Sequence, residues 1–214
     1  CDKRYIFTVK WGIKTETGDS EGKVIKKCRK YPKKVDILRA LSEFCGNIEQ
    51  FPHKYSSVKI NGQRAHKLAR KNMKFQLKKR QIKVNNLTLI NNISDKLASF
   101  FVDCSAGTYV RSLAESIGES LGTLATVVEL RRIGFNNFNK KLISLDYLLS
   151  LVHSDELKRL VHPIDAVMKN VLKIQLDYNQ VKRVLSGSFV QMDKQSIITN
   201  KNNIVLAKHN DNYI

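Results

Sequence analysis

Apolar and polar residues alternate from Arg4 to Val9 and set Tyr5, Phe7 and Val9 on one face, which predicts a strand. The polar run TETGDSEGK reads as a turn-rich loop, followed by a short strand around Val24 and Ile25. After Pro32 the helical period returns, with Ile37, Leu38, Leu41, Phe44 and Cys45 as the buried face and Gly46 as the stop. A proline-containing loop at Phe51 and Pro52 follows. Two alternating runs, Ile82–Ile90 and Leu97–Cys104, joined by the turn-like NNISDK, predict an antiparallel hairpin. SAGT then reads as a tight turn into a helix, YVRSLAESIGESLG, whose stripe is Val110, Leu113, Ala114, Ile117 and Leu121. Thr108 is the expected N-cap and Gly122 the expected stop.

Leu124–Leu130 reads as a short helix presenting Leu130, Arg131 and Arg132 at its end, and a capped helix spans Ser144–Leu151. The polar break at His153–Glu156 divides the chain into expected domains of residues 1–153 and 154–214. In the second, LKIQL is a strand and DYNQVKRVLSG a helix with Asp177 as N-cap and Gly187 as terminator. Short strands are expected near Ser188–Met192, Ser196–Thr199 and Ile204–Lys208. The fold class is α+β: a mixed, largely antiparallel sheet with flanking helices, plus a small α+β domain.

Charge changes this picture more than composition does. The 214 residues hold 38 Lys and Arg against 19 Asp and Glu, a formal net charge of +19, which points to a polyanionic partner with nucleic acid foremost. A membrane surface is disfavoured, because the sequence has neither a long apolar run nor a basic amphipathic helix. Lys54–Lys83 contains Lys59, Arg64, Arg70 and eight further Lys or Arg residues but no acid. A solvated helix face interleaves carboxylates, so this segment is read as a surface that tracks phosphates. Cys1, Cys28, Cys45 and Cys104 form no CxxC pair, so neither a metal site nor a disulfide framework is expected, and no cofactor is implied.

Candidate chemistry lies in the first helical turn after the SAGT loop. Tyr109 and Arg111 would stand there beside unpaired helix amides, where a phenol and a guanidinium can meet an anion. On the residues alone, Arg111 could equally pair with Glu115 at i+4 while Tyr109 packs on the sheet.

Four blocks, KRYIFTVKWGIKTETGDSEG, FPHKYSSVKINGQRAHKLAR, VDCSAGTYVRSLAESIGESLG and LRRIGFNNF, resemble in order and spacing those of the bacterial tRNA pseudouridine synthase B family, over about three quarters of the chain. The resemblance implies a cytoplasmic, monomeric, metal-free and cofactor-free isomerase acting on the tRNA T stem-loop. The target uridine is flipped out, its glycosidic bond broken and the uracil rejoined through carbon. Tyr5 would stack on the flipped base, Tyr109 would lie against it and assist proton transfer, and Leu130 would line the uracil pocket. Arg111 would pair with the catalytic aspartate. The basic segment, about 54–83, would be the insertion that closes on the RNA, with Tyr55, Lys59, Arg64 and Arg70 as contacts beside Arg131 and Arg132. The C-terminal domain would be PUA-like.

The family's catalytic aspartate belongs to a G-x-x-D motif upstream of the KRY block, and this sequence has none. The expectation is a chain short of the family's first quarter to third, inactive alone, with Arg111 lacking its partner and its helical turn strained. The resemblance gives neither Asp19 nor Asp103 the nucleophile's place, and Asp19, in a loop, is expected to have at most a supporting role. Asp103 is the rival, and alternation puts it on the face of Phe101. The runner-up reading is a non-catalytic RNA-binding or tRNA-folding factor; a ribosome-associated structural protein is a weaker third.

Overall fold

The alternation at the start of the chain becomes β1 (Lys3–Trp11), in which Phe7, Val9 and Trp11 are buried on one face. It is an inner strand of the sheet on which the first 143 residues are built. The computed structural model describes residues 2–136, 143–162, 166, 168, 171–191, 205–210 and 212–214. It divides into two units, Cys1–Ile143 and Ser144–Ile214. The division follows Ile143, whereas the sequence breaks at 153/154.

In the first unit β1 is followed by the hairpin β2 (Ile13–Thr15) and β3 (Val24–Lys27), then α1 (Lys34–Ala40) running into a 3-10 turn at Leu41–Phe44. Next come β4 (Gly46–Gln50), the small hairpin β5 (Lys59–Ile60) and β6 (Gln63–Arg64), and α2 (Ala65–Arg70). The long hairpin β7 (Arg80–Ser94) and β8 (Leu97–Cys104) leads to α3 (Val110–Ser120) and β9 (Ala125–Phe135). Five strands form one antiparallel sheet in the order β4-β7-β8-β1-β9.

The predicted stripe of α3 packs on this sheet: Val110, Leu113, Ala114 and Ile117 are buried against Phe7, Val9, Phe100, Val102 and Cys104. Phe7 stacks on Phe100 at 5.3 Å, and Trp11 meets Phe100 edge-on at 6.1 Å. Each such side chain contributes about 1.5–3 kcal/mol by leaving water. On the opposite face Ile6 is 37% exposed. An antiparallel sheet tolerates one solvated face.

Several expectations are corrected. Leu124–Leu130 is not a helix: Ala125–Phe135 is an edge strand paired with all of β1. The β-branched run Thr126, Val127 and Val128 suits a pleated surface, and pairing to β1 overrides the helical spacing of the apolar positions. Thr108 does not cap α3; Tyr109 is the N-cap residue, and the Thr108 hydroxyl donates to Ser105 O at 3.0 Å. In the first helix Ile37 and Leu41 are buried, but Leu38 is 51% exposed, and Cys45 is exposed beyond the 3-10 turn, whose tighter winding takes it off the stripe.

The second unit holds α4 (Leu145–Ser150), α5 (Glu156–Leu160), β10 (Leu172–Gln175), α6 (Tyr178–Leu185), β11 (Val205–His209) and β12 (Asn212–Tyr213). β10 and β11 pair in parallel, and β11 and β12 antiparallel. Asp177 caps α6 in a reciprocal box with Gln180, as its sequence predicts. Ser144 caps α4 through Tyr147 N. Ser188–Gln191 is not a strand, and the expected strand at Ser196–Thr199 lies outside the described residues. No helix among the described residues is long and apolar enough to cross a membrane.

Candidate active site

The turn after β8 and the cap of α3 bring Arg111 to a loop that lies far away in sequence. Its Nη1 donates to Thr17 O at 2.9 Å and to Asp19 Oδ2 at 2.8 Å, and its Nη2 donates to Tyr55 O at 2.9 Å. Arg111 is therefore not left without a partner, contrary to expectation, and α3 starts regularly, with Leu113 N bonded to Tyr109 O at 3.0 Å. Nor does Arg111 pair with Glu115. That carboxylate meets Lys14 Nζ at 3.5 Å and faces His53 Nε2 at 3.8 Å. Burial opposes ionisation of Glu115, but His53 and Lys14 outweigh it and hold its carboxyl below the usual range. At 3.8 Å the His53 contact is longer than a hydrogen bond and acts through the dipole of the ring.

Asp19 has both oxygens engaged. Oδ2 accepts from Arg111, while Oδ1 accepts from Thr17 Oγ1 at 2.5 Å and Glu21 N at 3.2 Å. The Thr15 hydroxyl donates to Asp19 O, and Val127 N donates to Gly18 O, which fixes the loop to β9. Gly18 has φ +71°, and a Cβ there would lie 2.9 Å from His53 Nε2, so this position requires glycine twice over.

Arg111, Asp19, Tyr55, Arg70 and Leu130 line one cleft of about 620 Å³. Tyr55 donates its hydroxyl to Glu16, and that bond raises its pKa above the ordinary phenol value. Leu130 is opposite Phe7 and Arg132 opposite Tyr5 across β1 and β9, so all four share the face that carries α3. The Tyr5 phenol lies beside Arg132; burial raises its pKa, the nearby Cys104 adds to the rise, and Arg132 pulls it back in part. Arg131 is opposite Ile6 and belongs to the other face. So does Asp103, opposite Arg4 in β1 and bonded by Asn85 Nδ2 at 3.1 Å. The face that alternation left open is thus assigned, and Asp103 is away from Arg111 and Tyr5. A larger cavity of about 800 Å³, bordered by Lys14, Phe51, His53 and Glu115, contains none of the sequence-predicted site residues.

Tyr109 does not line the cleft; its backbone is clamped instead. Gln50, buried at the end of β4, accepts from Tyr109 N at 2.8 Å and donates to Tyr109 O at 3.1 Å. Lys59 and Arg64 stand directly opposite each other on β5 and β6, joined by Asn61 and Gly62 with φ +47° and +80°, the two-residue turn that Asn-Gly favours. The Lys54–Lys83 segment is acid-free in sequence but not in space, because Lys79 Nζ meets Glu49 of β4 at 3.2 Å. Sequence reasoning missed Gln50, Glu16, Thr17 and His53; the only local signal was their closeness to the TETGDSEG and FPHKYS blocks.

Residues 1–110 match the TruB family pseudouridylate synthase N-terminal domain, and residues 111–169 match the tRNA pseudouridylate synthase B C-terminal domain. The chain belongs to the TruB family. It is 38% identical over 186 residues to the tRNA pseudouridine synthase B of Clostridium kluyveri, covering 86% of this chain and 63% of that relative. The Rickettsia felis protein of the same name is 35% identical, with 86% and 55% covered. That of Ehrlichia ruminantium is 31% identical over 211 residues, with 97% and 71% covered. The chain thus spans 63% and 55% of the length of the first two of these TruB relatives. Among solved structures, the fold matches a chain of a Cbf5-Nop10-Gar1 complex (TM-score 0.63, 23% identity, 88% of this chain and 49% of that one). It also matches a chain of an H/ACA RNP bound to a substrate RNA containing 2'-deoxyuridine (TM-score 0.67, 18% identity, 100% and 57%).

Proposed function

We propose that this TruB-family chain is the base-holding and RNA-gripping part of a tRNA pseudouridine synthase that isomerises the T-loop uridine. The observation that carries this reading is the way Arg111 is held. A guanidinium has five N–H donors, of which Thr17 O, Asp19 and Tyr55 O take three, leaving two without a partner among the described residues, Nε–H and one on Nη2. A fixed cation with donors to spare, in a cleft with Tyr55, Arg70 and Leu130, suits a second carboxylate or a phosphate beside a flipped base. Tyr5 offers a neutral phenol as a stacking surface on the same sheet face, and Tyr109 stands at the head of the helix that supplies Arg111. Lys59 and Arg64, like charges set face to face, gain from an anion between them. Arg132 and Arg131 extend positive charge along the edge strand. The second unit is read as the PUA-like module, the protein as acting in the cytoplasm as a monomer, and the reaction as needing neither metal nor cofactor.

Breaking the glycosidic bond needs a placed carboxylate. Asp19 has both oxygens engaged and Asp103 lies on the other face, so neither takes the nucleophile's role in this reading. The same observation favours the second reading, a tRNA-binding or tRNA-folding factor without turnover, for residues 1–214 taken alone. Tritium release from C5-labelled uridine in a T-loop hairpin separates the two. The expected result is tight hairpin binding with no release by this chain, and release when a family segment that carries the G-x-x-D motif is added. Release by the chain alone that disappears in Asp103→Asn would overturn the site assignment, and no preference for the hairpin over duplex RNA would overturn the function.

A further inference from the structure

His53 touches each of the segments that hold Arg111. It follows β4, is 7% exposed, and stacks beside Tyr55 at 6.1 Å between ring centres. Its Nδ1 accepts the Tyr55 N–H at 3.2 Å. A ring nitrogen that accepts carries no proton, so the proton of the neutral ring is on Nε2. That N–H is turned towards Glu115 Oε1, a buried oxygen with no hydrogen bond among the described residues. Glu115 lies one helical turn beyond Arg111 on α3, with Lys14 of β2 on its other oxygen. The Nε2–Cδ2 edge of the ring also lies over Gly18, where a Cβ would come within 2.9 Å of Nε2 and 3.3 Å of Cδ2. The Tyr55 carbonyl next to that N–H, and the Thr17 carbonyl and Asp19 carboxylate on either side of Gly18, are the acceptors that fix Arg111.

We propose that His53, as its Nε2-protonated neutral tautomer, is the positioning residue of the Arg111 anchor. Nδ1 holds the Tyr55 N–H, the Nε2–Cδ2 edge packs over Gly18, and Nε2–H turned towards Glu115 orients the ring on α3. Arg111 thereby meets three acceptors already in place. The inference rests on reading the cleft as the RNA site, and it concerns how that site is kept assembled before RNA arrives.

The test uses residues 1–214 with His53→Asn, His53→Gln and His53→Ala. Asn puts a carbonyl oxygen where Nδ1 accepts, whereas Gln reaches only the Nε2 position. Two quantities are read: the NMR signals of the Arg111 guanidinium protons, slow to exchange when hydrogen-bonded, and affinity for a T-loop hairpin. His53→Asn is expected to keep both near the unaltered values. His53→Gln and His53→Ala are expected to lose the slow Arg111 signals and about five- to tenfold in affinity, the worth of one hydrogen bond. Equal loss in all three variants, or no loss in any, overturns the proposal. Direct observation of the ring nitrogens in 15N-histidine-labelled, unaltered protein needs no variant to fold, and a proton on Nδ1 at neutral pH also overturns it. If the Arg111 signals follow the Asn-against-Gln pattern while the hairpin binds no better than duplex, the positioning role stands and the RNA reading falls.

Discussion

Arg111 and the cations of the β5–β6 hairpin carry the same charge within one unit, yet they are held in opposite ways. Arg111 is 24% exposed, with Asp19 at 26%, and three acceptors fix its guanidinium. Lys59 and Arg64 are directly opposed across two short strands and make no side-chain hydrogen bond or ion pair among the described residues. Opposed like charges cost stability in the free protein, a cost that a bound phosphate removes. A guanidinium that must be in place before the ligand arrives is built into the fold. A cation that only neutralises phosphates can be left to the ligand. Substitutions in the two regions should therefore differ in kind: loss of stability and of base discrimination in one, loss of salt-dependent affinity in the other.

The largest effect is expected at Arg111. Arg111→Ala leaves the Asp19 carboxylate and the Thr17 and Tyr55 carbonyls without their shared donor. Breaking a fully buried pair costs about 3–5 kcal/mol, and partial exposure of both side chains brings this to about 2–3 kcal/mol. Trp11, the single tryptophan, is buried in the first unit, so its fluorescence during urea unfolding reports that unit alone. Arg111→Lys should recover little, because one ammonium on a flexible stem cannot serve Thr17 O, Asp19 and Tyr55 O together. Full recovery by lysine would mean that charge alone holds the site.

Tyr5 tests whether the sheet face belongs with the built region. Tyr5→Ala should lose about 1–3 kcal/mol of binding to a T-loop hairpin and much less to plain duplex. Equal losses on both RNAs would make Tyr5 a packing residue of the Phe7 side of the sheet.

A smaller effect distinguishes the hairpin cations from their neighbour Lys79. The double variant Lys59→Ala with Arg64→Ala should reduce the slope of log affinity against log salt by about 0.7–0.9 for each phosphate that is no longer neutralised. Lys79→Ala should leave the slope nearly unchanged, because Lys79 is engaged with Glu49 and lies over the Phe51 ring. If Lys79 changed the slope as much as the pair, the whole basic segment would act as an undifferentiated charged surface.

What could be read from the sequence follows from how local each signal is. β1, β8 and α3 were legible because Phe7, Val9, Phe100, Val102 and the Val110–Leu121 stripe repeat at the period of their own element. β9 was not, because Leu124, Val127, Val128 and Leu130 satisfy a helical period too, and the deciding partner β1 lies more than a hundred residues earlier. Resemblance marked Arg111, but its acceptors Asp19 and Tyr55 are 92 and 56 positions away and have no periodic signature. The i+4 pairing with Glu115, the local alternative, loses because Lys14 and His53 reach that carboxylate from other segments. Gln50 could not have been found by pattern, since its role is to bond the backbone of Tyr109.

The smallest effect concerns Glu115, which supports the built region from beneath. Its carboxyl is held below the usual range despite burial, through His53 and Lys14. A carboxyl whose folded pKa lies below its unfolded value of about 4.3 contributes stability that is fully present above that value. The contribution is lost as pH falls through the lower, folded value. Glu115→Gln should therefore be less stable than the unaltered protein near pH 7, by an amount that shrinks on acidification until the two urea curves of Trp11 fluorescence converge. A stability gap that stays constant from neutral pH to below the glutamate range would mean that Glu115 acts by packing alone. The support beneath Arg111 would then be steric and not ionic.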